Sequence, residues 1–194
     1  SLGGAQEYFK VVPDLACFGK AISGGYPLSV VCGKKEFMKH MDEVFISTTF
    51  CGYTLGLVAA IETIKMMQEF GDVHLYMHFL GKYLMDEGNK IMEEYNLPMK
   101  FIGYGVHPVL TIKISDDYEN RLFKSYIYQQ MNKAGIIFST SVMIGYMHKK
   151  EHIDLVLGEL KKICEVLAHI KNYKEIENIL EGDVVSPRTV RLVQ

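Results

Sequence analysis

Pro13-Asp14-Leu15-Ala16-Cys17-Phe18-Gly19-Lys20-Ala21-Ile22-Ser23-Gly24-Gly25-Tyr26-Pro27-Leu28 is the stretch that decides how this chain is read. Leu15 to Phe18 is a short apolar run opened by Pro13-Asp14 and closed by Gly19-Lys20, the pattern of a buried strand of an α/β sheet running into a loop. Ser23 to Pro27 is a turn cluster, because glycine supplies positive φ and proline fixes its own. Leu28 to Cys32 predicts a second buried strand. Lys20 then stands at the carboxyl edge of a sheet, where open α/β folds place ligands. Desolvation there would depress its pKa, which is the condition an amine nucleophile needs. The same position also suits a solvated loop lysine, the commoner fate of that residue.

Outward from this stretch, Lys34 to His40 reads as a short charged helix and Phe45 to Phe50 as an extended segment rich in β-branched and aromatic residues. Leu55, Val58, Ala59, Ile61 and Ile64 recur at helical period, interrupted by Glu62 and Lys65, and predict a helix with an apolar face ending near Gly71. A second helix is expected from about Val73 to Tyr95, stopped by Asn96-Leu97-Pro98. Phe101 to Tyr104 and Val109 to Ile114 read as strands, Asn120 to Ala134 as a helix and Ile136 to Phe138 as a strand. Lys150 to Ile170 predicts a helix with a stripe of Ile153, Leu157, Leu160, Ile163 and Cys164. Elements thus alternate as in an α/β fold. Neither an internal repeat nor a Ser/Gly linker interrupts them.

Composition bounds the function classes. With 194 residues, 48% of them hydrophobic and 23% charged, the chain has the make-up of a globular protein and not of a disordered one. Twenty-one Lys and Arg against 23 Asp and Glu leave a formal charge of -2, so there is no basic field for nucleic acid. The longest apolar runs fall short of the roughly 18 residues a membrane span requires, and the chain is read as soluble with no membrane partner. Cys17, Cys32, Cys51 and Cys164 stand singly without CxxC spacing and read as buried reduced thiols of a cytoplasmic protein. Ser1-Leu2-Gly3-Gly4-Ala5-Gln6 is neither a signal peptide nor an ordinary initiation site, and reads as a terminus set by cleavage or by the choice of expressed segment.

The segment from Pro13 to Leu28, followed by Cys32-Gly33-Lys34-Lys35-Glu36-Phe37-Met38, closely resembles the cofactor-lysine region of class III, fold-type I pyridoxal-phosphate aminotransferases. It is most similar to the glutamate-1-semialdehyde aminomutase branch and its polysaccharide-linked relatives. The resemblance implies that Lys20 is the catalytic and cofactor-binding lysine, forming a Schiff base with pyridoxal 5'-phosphate. Ser47 to Leu55 resembles the family's Thr-Phe-Gly-Gly-Asn-Pro-Leu element, whose threonine bonds the cofactor phosphate of the neighbouring subunit, and that role falls on Thr49. The match departs at Cys51, where the family has its second Gly, and at Tyr53-Thr54, where it has Asn-Pro. Asn120 to Ile170 resembles the aminomutase-type C-terminal domain, and Leu180 to Pro187 the tails of polysaccharide-linked relatives.

The family's pyridinium-binding aspartate, ring-stacking aromatic and main phosphate loop all lie upstream of a segment resembling Ser1 to Gln6. Near Lys20 the acids are Glu7 and Asp14, and Asp14 reads as a turn cap. The resemblance therefore implies the C-terminal part of an α/β enzyme about twice this length, with residues 1–72 ending a large three-layer cofactor domain. Residues 73–97 would form a connecting helix, and 98–194 a small α/β domain. The implied parent is a homodimeric aminotransferase or aminomutase acting on a small amino donor and a carbonyl acceptor, and this chain by itself is expected to be inactive. The alternative is a non-catalytic dimerisation or binding module that keeps the fold without the chemistry.

Other constellations are less specific. His74 with His78, and His148 with His152, have the i, i+4 spacing of helical metal ligands but lack a metalloprotease Glu, and read as helix-face histidines with no metal. Tyr8-Phe9, Tyr126 and Tyr128 suit core or interface as well as a stacking platform. Lys161-Lys162 and Lys171 to Lys174 read as wet helix faces. His107 and Ser139-Thr140-Ser141 are candidates to line a substrate site.

Overall fold

The computed structural model describes residues 1–186, so the end of the 180–187 tail motif and of the 98–194 range lies outside the described residues. The chain divides into two compact units, Ser1–Leu75 and Tyr76–Gln194.

In the first unit a short helix α1 (Gly4–Tyr8) precedes strand β1 (Leu15–Phe18), which pairs antiparallel with β2 (Val30–Gly33). The register sets Leu15 opposite Gly33 and Phe18 opposite Val30. Asp14 does not cap the strand with its side chain. Its carboxylate takes the Lys34 ammonium at 2.5 Å, and its carbonyl accepts from the Lys34 amide. Both strands were expected to be buried, and neither is: Leu15 and Val31 are about half exposed, because this sheet has two strands and bare faces. A short α2 (Lys35–Met38) runs into a 3₁₀ turn, Lys39–Asp42. Residues 45–50 are not a strand; 45–48 are irregular, 49–52 turn, and Phe45 is 95% exposed.

Helix α3 (Thr54–Glu69) corrects the expected orientation of its face. Leu55, Val58 and Ile61 are exposed, while Gly56 and Ala60 are buried. The reason is steric. A side chain at Gly56 would come within 3.4 Å of the Pro27 carbonyl, so the helix turns its small residues to the approaching backbone of the 20–28 turn.

Helix α4 (Val73–Glu94) passes from the first unit into the second and supplies Leu80, Leu84 and Met92 to the second unit's core. It ends at Asn96-Leu97-Pro98 as the sequence predicts. Strands β3 (Met99–Tyr104) and β4 (His107–Ile112) form an antiparallel hairpin. The Asn89 side chain pins the hairpin to α4, its amide donating to the Phe101 carbonyl and its oxygen accepting from the Phe101 amide. The hairpin is followed by α5 (Asp117–Lys133), capped where Asp116 accepts from the Glu119 amide, and by α6 (Lys150–His169). The anticipated stripe of α6, Ile153, Leu157, Leu160, Ile163 and Cys164, is buried throughout. Phe101, Phe123, Ile127 and Met131 complete that core. Tyr126 is buried with them, Lys161 and Lys162 lie in solvent, and so do Lys171 and Lys174.

Ile136 to Phe138 is not a strand. Gly135, at φ +77, closes α5 with the Ile136 amide on the Met131 carbonyl, and this turns Ile137 out to 99% exposure. The contact with β4 comes later in the chain. Ser141 bridges Val109, the Leu110 amide donates to Thr140, and the Val142 amide donates to Pro108.

Candidate functional site

Lys20 opens a 3₁₀ turn, Lys20–Ser23, directly after β1 and Gly19. Its φ is +53°, in the left-handed region that L residues other than Asn and Asp rarely occupy. Among the described residues two other non-glycine residues share that sign, Lys10 at +56° and Asn96 at +51°. Both are explained by helix ends. At each, the left-handed residue donates to the carbonyl three back and its successor donates five back: Lys10 to Glu7 with Val11 to Gln6, and Asn96 to Glu93 with Leu97 to Met92. Lys20 follows a strand and has no such cap. A strained conformation without a capping duty is the pattern found where backbone is held for function.

The turn beyond Lys20 is tightly determined. Gly24 and Gly25 have φ of +58° and +106°, the two successive positive values a type I′ turn demands. The Tyr26 amide donates to the Ser23 carbonyl, and the fully buried Ser23 hydroxyl donates back to the Tyr26 carbonyl at 2.5 Å. Lys20 itself is exposed, so the desolvation expected of its ammonium is absent from this chain. Thr49 is also exposed, at the start of the 49–52 turn that leads into α3. In that turn the Cys51 amide donates to Thr48, the Tyr53 amide donates to Phe50, and Gly52 has φ +71°.

Of the four cysteines, Cys17, Cys32 and Cys51 are exposed where buried thiols were expected. Ala16 faces Cys32 and Cys17 faces Val31, so the two strand cysteines project to opposite sides of the ribbon. Cys164 alone is buried, and burial pushes its thiol up to about 12.

In the second unit His107 Nε2 and Ser141 Oγ meet at 2.7 Å, brought together by the bridge between β4 and the 140–142 segment. Tyr128 reaches the same segment, its hydroxyl donating to Thr140 Oγ1 at 3.3 Å. A groove of about 470 Å³ lies beside this segment, lined by Phe138, Met143, Ile144, Leu155, His148 and His152 among others. The two histidines do not suit a metal. His148 Nδ1 accepts from the Gly145 amide and His152 Nδ1 from the Lys149 amide, so in each neutral ring the proton sits on Nε2 and leaves it no lone pair to give. His152 thereby caps α6, a duty its i, i+4 spacing does not reveal. Among the described residues no group of three or more His, Cys, Asp or Glu is arranged to hold a metal ion. Next to this cap Lys150 and the Tyr83 hydroxyl bond Asp154, holding its carboxyl below the usual carboxylate range. Among the described residues no helix is long and apolar enough to cross a membrane.

A family model described as Aminotransferase class-III matches residues 3–164. The chain is 32% identical over 172 residues to a 3-aminobutyryl-CoA aminotransferase of Cloacimonas acidaminovorans (strain Evry), covering 88% of this chain and 41% of that protein. It is 29% identical over 182 residues to a glutamate-1-semialdehyde 2,1-aminomutase of Wigglesworthia glossinidia brevipalpis, covering 86% of this chain and 42% of the relative. Among solved structures, an omega-transaminase from Sphaerobacter thermophilus superposes with a TM-score of 0.76 at 19% identity, covering 84% of this chain and 41% of that one. The PLP internal aldimine form of the Sphingopyxis sp. MTA144 FumI protein gives 0.76 at 18% identity, covering 89% and 42%. These likenesses bear out the α/β fold class, and the chain spans about two fifths of the length of these relatives.

Proposed function

We propose, since this chain belongs to the class III aminotransferase family, that it is the C-terminal segment of a pyridoxal-phosphate-dependent aminotransferase or aminomutase, with Lys20 as its reacting amine. The observation that carries the reading is the φ of +53° at Lys20, uncapped and directly after β1, inside the family match. The relatives' names favour an enzyme over a non-catalytic module.

The residues present suit the cofactor by their chemistry. Lys20 offers an exposed primary amine on a fixed turn, and Thr49 offers an exposed hydroxyl ahead of the 16-residue helix α3. A hydroxyl just before a helix N-terminus is well placed for phosphate. When bound, pyridoxal phosphate supplies the electron sink for chemistry at an amino-bearing carbon. In this reading Lys20 Nζ holds the cofactor and, once released by an incoming amine, takes a proton from the substrate carbon and returns it. Thr49 anchors phosphate across a homodimer interface, which makes the parent a symmetric dimer at least. Residues 1–72 then belong to the cofactor domain, 73–97 to a connecting helix and 98–194 to the small domain. A cytoplasmic setting fits the four free cysteines.

The test uses the full-length protein and a Cα-deuterated amino donor. Wild type should wash the deuterium out to solvent and Lys20→Ala should not, as followed by proton NMR. Washout at the wild-type rate in the variant would remove Lys20 from its role.

A further inference from the structure

We propose that Ser23 is the positioning residue for Lys20, its buried hydroxyl locking the turn that holds the amine-bearing residue in its left-handed backbone. The inference rests on the reading of Lys20 given above and adds what keeps that residue in place. A non-glycine residue at positive φ relaxes unless its surroundings over-determine it. The turn Lys20–Ser23 has long backbone bonds, 3.4 Å from the Ile22 amide to the Gly19 carbonyl and 3.3 Å from the Gly24 amide to Ala21. They are too weak to impose the conformation alone.

The firm point is Ser23. It has no exposed surface, and it is joined to Tyr26 twice, by the amide of Tyr26 and by its own hydroxyl. This closes the Gly24-Gly25 turn into a ring. The ring is then pressed onto α3, where Thr63 Oγ1 stands 3.3 Å from the place a Gly24 side chain would begin. Only Ala21 and Ile22 separate Ser23 from Lys20, so a fixed Ser23 sets the end of the turn whose start carries the amine. Without the hydroxyl, the Tyr26 carbonyl loses a partner and the turn gains freedom that Lys20 can use to relax toward ordinary φ.

The experiment uses full-length protein incubated with pyridoxal phosphate, reduced with borohydride and digested. Pyridoxyl on Lys20 is counted relative to pyridoxyl on Lys90, an exposed helix lysine paired with Glu87. Ser23→Ala should lower that ratio about five- to tenfold, the fold-change expected from one net hydrogen bond, and should shift the pH midpoint of the bound cofactor's visible band. Ser23→Thr, which keeps the hydroxyl, should stay within twofold of wild type and serves also if the alanine variant does not fold. Thr63→Val removes a nearby hydroxyl whose bond is to Ala59 within α3, and should leave the ratio unchanged. An unchanged ratio and midpoint in Ser23→Ala, an equal fall in Thr63→Val, or a fall in folded Ser23→Thr overturns the role of Ser23. Absence of label on Lys20 in wild type overturns the reading of Lys20 itself, and with it this inference.

Discussion

In Ser1–Leu75 the buried hydrophobic side chains are those of Ala60 and Val73, whereas from Tyr76 onward Phe101, Phe123, Leu84, Leu160, Ile163 and others are closed off from solvent. The first unit instead exposes Val12, Phe45, Phe50, Leu55 and Ile61. Its Lys20 and Thr49 stand on turns held by backbone geometry and by one buried hydroxyl, while the second unit's helices are held by interlocked apolar layers. The unit carrying the proposed chemistry is thus the one with the smaller buried apolar core of its own.

If the second unit stands on its buried apolar core, truncating that core is costly, whereas truncating the exposed face of α3 is not. Phe123 is fully buried and meets the Tyr173 ring edge-on at 4.8 Å. Phe123→Ala should cost about 3–5 kcal/mol in the isolated chain. Ile61→Ala, in the exposed face of α3, should change stability by no more than about 0.5 kcal/mol. Urea unfolding of the two variants measures both, and equal losses would show that the units are not differently built.

Thr49→Val alters the first unit's proposed chemistry without touching either unit's buried side chains. In the full-length protein it should weaken cofactor binding by about 1.5–3 kcal/mol, the worth of a hydrogen bond to a charged group. Dimerisation and melting should be unchanged, because an exposed hydroxyl supports no core. Equilibrium dialysis against pyridoxal phosphate checks the first expectation, and unaltered affinity would take Thr49 out of the phosphate site.

The smallest effect at neutral pH is expected from the thiols. Cys17, Cys32 and Cys51 should react with a thiol-specific disulfide reagent in the native chain, and Cys164 only on unfolding. The Cys164 thiol is raised from 9.0 to about 12 by burial, so the folded state holds that proton more tightly than the unfolded state. Its contribution is complete below pH 9 and is lost as the pH rises from 9 to 12. Cys164→Ala should therefore flatten the alkaline limb of the stability curve. A native-state count of four reactive thiols would contradict the burial.

Helical period was legible without the structure: α4 and α6 lie close to the expected bounds, and the stripe of α6 is buried as read. Ile136 to Phe138 misled because β-branched residues favour strands, yet Gly135 ends α5 and sends Ile137 outward before pairing resumes at Ser141. The face of α3 misled because burial followed the close approach of the 20–28 backbone, which admits Gly56 and Ala60, and not hydrophobicity. The apolar runs of β1 and β2 predict burial, but burial needs neighbouring layers that a local pattern does not specify. Lys20 was singled out from its motif. Its φ is not legible, since lysine disfavours that region, and nothing in the sequence distinguishes Ser23 from an ordinary turn serine, because the Tyr26 carbonyl that takes its hydroxyl is set by the fold of the turn.

Whether Lys20 is the reacting amine is measured by reductive trapping in the full-length protein, with borohydride fixing whatever lysine has condensed with pyridoxal phosphate at substoichiometric cofactor. Peptide mapping should find the pyridoxyl group on Lys20, saturating at one per chain. Label concentrated on another lysine, or spread over the exposed lysines without saturation, would contradict the assignment of Lys20 as the reacting amine.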